Sequence, residues 1–411
     1  MSDELKEKQL RQNGEDFYPI IKKKSNIDKN SNDAVTSIAV IDYVKKYGSN
    51  LMKLDSASAD YTISDVVDIV NDLLALFGAR SHSTLGERKA FILACSDFQT
   101  NSDSTNDKSQ NLKNLLTSLN SYLDYNDIDV NCIFVCGDYT GGDTANQSVD
   151  GLTQLKDIFK SYNSLHIEDN EFIIVQGNHD RDAINSQPNN FAKFGDNDKD
   201  EFGVFVIHEN NYPWASQRSS DDMYNATINT ANQLREYLEH KRKINYQKPI
   251  FILSHLPLHY SMRTYNDGDG RYAKYIFDVL NEYSDYGLDI YFLFGHNHSN
   301  GWDNYVGGSR VYIEPGEDIV ISNPDNNQKC NTYTCKFTTL NAGYIGYYDT
   351  ADVNDGSDKV LTISAYEIYE KGVIIKRFDM NGRTSMEGVH VPNTRNDNQE
   401  DILDLYDNGN D

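Results

Sequence analysis

No apolar run in this chain approaches the ~18–20 residues that a membrane-spanning helix requires, so no span is expected. The opening MSDELKEKQL lacks the apolar core of a signal peptide, which predicts a protein made in the cytoplasm and not exported by a leader visible here. Basic residues are scarce, 38 against 63 acidic, for a net charge of −25. A surface of that sign disfavours anionic membranes and non-specific nucleic-acid binding. It does not exclude an anionic substrate, because bound metal ions can invert the local field. There is no internal repeat. Asp55 to Asp68 carries several carboxylates but no central glycine in the register of a calcium loop, and reads as a linker and cap.

Cysteines number five. Cys95, Cys132 and Cys136 fall inside apolar runs and read as inert core residues. Cys330 and Cys335 either pair across a hairpin or stand free, and the odd total favours the second.

What the chain does have is a set of apolar runs that end alike. They are FILACSD ending at Asp97, CIFVCGD at Asp138, FIIVQGNHD at Asn178 and His179, PIFILSH at His255, and DIYFLFGHNH at His296 and His298. Their separations are 41 (97 to 138), 40 (138 to 178), 77 (178 to 255) and 41 (255 to 296) residues. About 40 residues suits a strand, a crossover helix and two loops. Crossover helices are expected over 111–125, 149–162, 228–243 and 271–283, with a further amphipathic helix over 63–78. The expected result is a single sheet with every motif at one edge, where open α/β sheets bind ligands. The polar stretch 181–227 is expected to be a long loop or lid. Short alternating segments over 305–380 read as antiparallel strands of a second sheet packed on the first.

Asp, Asn and neutral His are hard or borderline donors suited to Mn, Fe or Zn. The absence of a thiolate from the set argues against a structural zinc site. Several such donors from different strand ends, one of them a carboxylate able to bridge, are what a pair of metal ions requires.

The motifs Asp97-Phe-Gln99, Gly137-Asp138, Gly177-Asn-His-Asp180, His255 and Gly295-His-Asn-His298 resemble those of the calcineurin-like metallophosphoesterase superfamily. That resemblance implies an α/β fold, a two-sheet sandwich flanked by helices (αββα). It implies two divalent or trivalent transition-metal ions and hydrolysis of a phosphate mono- or diester. By position, Asp138 bridges both metals. Asp97 and His298 hold the first, with Gln99 where the superfamily usually has His. Asn178, His255 and His296 hold the second. His179 faces the phosphate as a proton donor, and Asp180 orients that imidazole or its loop. Arg263 and Arg271 are candidate phosphate contacts. Gln99 offers a weaker donor than imidazole, so the first metal is expected to be held more loosely. Alternatives are a nuclease of the same superfamily, disfavoured by the acidity and the lack of a Lys/Arg stripe near the motifs, and a catalytically weak or inactive virion (tail or baseplate) structural or binding protein that uses the phosphoesterase fold.

Residues 1–50 form a separate arm. The pairing of KQLR-x-NGEDFYP with AVTS-x-AV-x-DYV resembles N-terminal segments of tail, baseplate and fibre proteins from phages of Gram-positive bacteria. It implies oligomerisation or virion assembly through the arm. The expected organisation is 1–50 arm, 51–85 linker and helix, 86–385 phosphoesterase domain, and 386–411 disordered polar tail.

Overall fold

A computed structural model describes residues 11–12, 15–16, 85–99, 105–140, 145–162, 165–180, 193–213, 220–259, 272–297, 311–323, 329–346, 361–379 and 384–390. Expectations for the helix over 63–78, most of the 1–50 arm, the tail beyond 390, Arg263, Arg271 and His298 lie outside the described residues. The chain divides into two compact units, Met1–Gly86 and Glu87–Asp411.

In chain order the strands are β1 (Arg11–Gln12), β2 (Glu15–Asp16), β3 (Arg88–Cys95), β4 (Cys132–Cys136), β5 (Phe172–Val175), β6 (Gly195–Asp196), β7 (Gly203–Ile207), β8 (Ile250–Ser254), β9 (Ile290–Phe294), β10 (Tyr312–Ile313), β11 (Asp318–Asn323), β12 (Lys329–Thr334), β13 (Thr338–Asn341), β14 (Thr362–Tyr369), β15 (Val373–Asp379) and β16 (Thr384–His390). The helices are α1 (Thr105–Asn126), α2 (Ala145–Lys160), α3 (Ser220–Lys243) and α4 (Ala273–Asp285). In the first unit β1 and β2 pair antiparallel.

The second unit holds two six-stranded sheets, ordered β16-β15-β14-β3-β4-β5 and β10-β13-β9-β8-β7-β6. Strand periodicity explains the layers. Ile250 and Ile252 of β8 point into one apolar cluster with Leu234 and Leu238 of α3 and Ile276 and Leu280 of α4. Phe251 and Leu253 point into another, shared with Ile92, Phe134 and Val175 of the first sheet. On the first sheet Phe91 and Leu93 face outward onto Leu115 and Leu119 of α1 and Leu155 of α2. Both faces of the central strands are therefore buried, and the order of layers is α/β/β/α. No helix among the described residues is long and apolar enough to cross a membrane.

Three expectations need correction. The motif strands do not share one sheet: β3, β4 and β5 lie in the first, β8 and β9 in the second. The stretch 181–227 is not a single loop. It contains β7, which runs parallel to β8 inside the second sheet, and the start of α3. That hidden strand explains the separation of 77 residues (178 to 255) between motifs. The late strands do not form a sheet of their own. β14, β15 and β16 extend the first sheet, β13 and β10 extend the second, and β11 with β12 makes a separate hairpin. Apolar periodicity marks a strand and its buried faces but carries no information on its hydrogen-bonded neighbour. Cys330 and Cys335 are not joined by a disulfide.

Candidate metal centre

The parallel strands of both sheets end at the same rim, and the motif residues are carried there by turns. Of the seven non-glycine residues with positive φ among the described residues, four are Asp97 (57°), Gln99 (46°), Asp138 (53°) and His296 (68°). Left-handed backbone is costly for such residues and persists only where surrounding contacts dictate it. Here those contacts run between the sheets. Asp97 Oδ2 accepts the His296 N–H at 3.0 Å, with Ser96 Oγ at 2.6 Å. His255 Nδ1 lies 2.8 Å from the Cys136 carbonyl. An N–H on that nitrogen donates to the carbonyl and turns Nε2 inward.

Inward lie the donors. His255 Nε2 is 3.2 Å from Asp138 Oδ2 and 2.9 Å from Asn178 Oδ1. The same Asn178 oxygen is 3.0 Å from His296 Nδ1. Asp97, Asp138, Asn178, His255 and His296 are all buried. Asp138, His255 and His296 each offer one donor atom, and these atoms lie within 4.8 Å of one another. Buried carboxylate and imidazole donors converging at that spacing fit a transition-metal ion.

The glycines of the motifs make this closeness available. A Cβ on Gly137 would come within 2.5 Å of His255 Nδ1, and one on Gly295 within 2.8 Å of Asp97 Oδ2. A Cβ on Gly177 would overlap the Asp138 carboxylate and its backbone nitrogen. Only glycine lets the loop backbones pass so near the donors.

Charge follows from the geometry. Burial alone pulls the His255 imidazole down, but Asp138 beside it prevails and raises it to about 10. Burial pushes Asp138 up, yet the imidazoles of His255 and His179 and the His179 N–H hold it well below the usual carboxylate range. The metal-free pair is therefore an imidazolium and a carboxylate, and loading a cation requires His255 to give up that proton.

The remaining positions differ in kind. Gln99 is half-buried, with Nε2 3.4 Å from Asp138 Oδ2. His179 sits half-buried at the rim, its backbone N–H bonded to Asp138 Oδ1 at 2.9 Å. Asp180 is wholly buried. Its oxygens accept the backbone N–H groups of Asp138 (2.6 Å), Gly177 (2.9 Å) and Thr140 (3.2 Å). Those bonds assign Asp180 to holding loops. Of the two roles expected for Asp180, these bonds reach its loop and not the His179 imidazole. His259 is buried against the Phe294 ring, with the ring centroids 5.1 Å apart.

The family model for calcineurin-like phosphoesterases matches residues 92–300, just over half of the 411 residues. The chain belongs to the calcineurin-like phosphoesterase family. The match begins inside β3 and ends just past the last motif. Among solved structures, a single-site variant of Vps29 from Entamoeba histolytica is 12% identical, with 74% of this chain and 99% of that one covered at a TM-score of 0.30. A conserved protein from Streptococcus pneumoniae described as a predicted phosphoesterase is 11% identical, with 74% and 100% covered at a TM-score of 0.26. No curated protein matches the chain.

Two buried polar residues beside this calcineurin-like site, Gln176 and His208, lie outside its sequence motifs and are bonded to each other. His208 follows the apolar run GVFVI as the other motif residues follow theirs. That pattern marks a strand end inside 181–227, where β7 lies.

Proposed function

We propose that the protein hydrolyses phosphate esters with two transition-metal ions held at this rim. The observation that carries the reading is the convergence of Asp138, His255 and His296 within 4.8 Å, buried at the strand ends. Asp138 would serve both ions. Asp97, Gln99 and His298 would complete the ligands of the first ion, and Asn178, His255 and His296 those of the second. Metal ions so held supply Lewis acidity to the phosphoryl oxygens and water acidified enough to act as a nucleophile.

The chain's own residues do the rest. Asp97 and Asp138 bring negative charge to a buried place that a cation can neutralise. His255, held through Nδ1 by the Cys136 carbonyl, presents Nε2 at a set angle. His179 is carried to the rim by a backbone bond to Asp138, where its ring can protonate the departing oxygen. Asp180 keeps the two loops in register. The substrate is a phosphate mono- or diester, with Arg263 and Arg271 as further cationic contacts to its phosphate.

Metal analysis and turnover test the reading together. The full chain is expected to take up as many as two ions of Mn, Fe or Zn and to cleave p-nitrophenyl phosphate or its bis-ester. Asp138→Asn is expected to lower both metal content and turnover. Unchanged metal occupancy in that variant overturns the two-ion site, and the ratio of the two rates assigns monoester or diester.

A further inference from the structure

Gln176 joins β5 to the Gly177-Asn-His-Asp180 loop and is wholly buried. Each of its four polar groups is engaged. Its N–H donates to His208 Nδ1 at 3.0 Å. Its carbonyl accepts the Glu209 N–H at 3.0 Å. Its Oε1 accepts from Asn210 Nδ2 at 3.2 Å, and its Nε2 donates to the Asp180 carbonyl at 3.0 Å. Three of the four bonds reach the run His208-Glu209-Asn210, which leaves the end of β7 in the other sheet. The loop is thus held at both ends: at Asp180 by the loop that carries Asp138, and at Gln176 by the run after β7.

His208 is itself buried. An imidazole nitrogen that accepts an N–H carries no proton, so the ring is neutral with its hydrogen on Nε2. A buried amide has exchanged water for this one acceptor, and without it the amide must move to find another. Asn178 stands two residues further on, with its oxygen shared between His255 and His296.

We infer that His208 is a positioning residue of the metal centre: by accepting the Gln176 N–H it sets where Asn178 and His179 stand. The inference rests on the metallophosphoesterase reading. It adds to that reading a residue from outside every motif strand, and a path by which the second sheet orders a loop of the first.

The test uses the full chain with His208→Ala and His208→Asn. The Asn Oδ1 occupies about the place of the imidazole Nδ1, so it restores the acceptor without the ring. Two quantities are measured: amide hydrogen exchange without metal, and Mn²⁺ affinity by titration calorimetry. In His208→Ala, exchange is expected to quicken over 176–180 while 250–254 stays protected, and Mn²⁺ affinity to fall about 10–100-fold. His208→Asn is expected to restore both to within a few-fold of wild type. If His208→Ala loosens the whole chain, His208→Asn decides: recovery supports the acceptor role, and equal loss overturns it. Wild-type exchange and affinity in His208→Ala also overturn it, and leave the metal reading standing. A wild type that takes up none of Mn²⁺, Fe²⁺ and Zn²⁺ removes the metal reading and this inference with it.

Discussion

Asp180 Oδ2 accepts the Asp138 backbone N–H at 2.6 Å, so the last residue of one motif fastens the loop that carries the central carboxylate of another. The same oxygen takes the Gly177 N–H, and Oδ1 takes that of Thr140. One buried side chain thereby ties the ends of β4 and β5 together. Burial and the nearby charge of Asp138 push the Asp180 carboxyl upward, against the N–H donors of Gly177 and Thr140.

Asp180→Ala leaves those three amides without their acceptor. Each unpaired buried amide costs about 1–3 kcal/mol, and water entering the vacated space offsets part of the total. A loss of ~3 kcal/mol in urea unfolding is expected, with metal uptake reduced in the folded protein. Asp180→Asn keeps one oxygen acceptor and should fall between. An unfolding midpoint equal to wild type in Asp180→Ala would contradict the loop-fastening role.

Gln99 directs its side chain toward Asp138, with Nε2 3.4 Å from Oδ2. Imidazole is the better donor to borderline metals than an amide oxygen. Gln99→His should tighten one step of a Mn²⁺ or Zn²⁺ titration, and Gln99→Ala should weaken the same step. Identical isotherms for all three proteins would show that residue 99 is not a ligand.

Glu367 on β14 and Lys376 on β15 form an ion pair of 2.7 Å, both buried. The hydroxyls of Tyr122 and Tyr369 also donate to Glu367, at 3.1 and 2.6 Å. Removing one partner leaves a buried charge, so Lys376→Met should cost about 3–5 kcal/mol. The double change Lys376→Met with Glu367→Leu removes both charges and should recover most of that loss. Calorimetric melting of the single and double variants checks this. A double variant no more stable than the single one would mean that packing, not charge, sets the cost.

Asp198 accepts bonds from the Tyr237 hydroxyl at 2.6 Å and the Val204 N–H at 2.9 Å, and pairs with Lys241. Burial pushes its carboxyl up, but the bonds from Lys241 and Tyr237 prevail and hold it below the ordinary value. A carboxyl with a lowered folded pKa stabilises the fold above its unfolded pKa. That contribution fades as pH falls through the folded value. The stability gap between wild type and Asp198→Asn should therefore be largest near about pH 6 and shrink by about pH 3. Urea midpoints at the two pH values test it, and a constant gap refutes it.

Much of this molecule was legible from residue order. The unbroken apolar run in PIFILSH marked a buried strand, and Ile250 and Phe251 do point to opposite clusters. The polar residues that stop such runs, Asp97, Asp138, Asn178, His255 and His296, could be named because strand ends and side-chain chemistry are local properties. The tertiary structure alone decided that β3, β4 and β5 lie in one sheet and β8 and β9 in another. It alone turned Asp180 toward backbone amides, and it brought His208 to Gln176. The physical reason is that a strand pairs through backbone groups common to every residue, so the sequence carries little about which neighbour it meets. Partners separated by 32 positions, as Gln176 and His208 are, become neighbours only when both sheets have closed on a shared core.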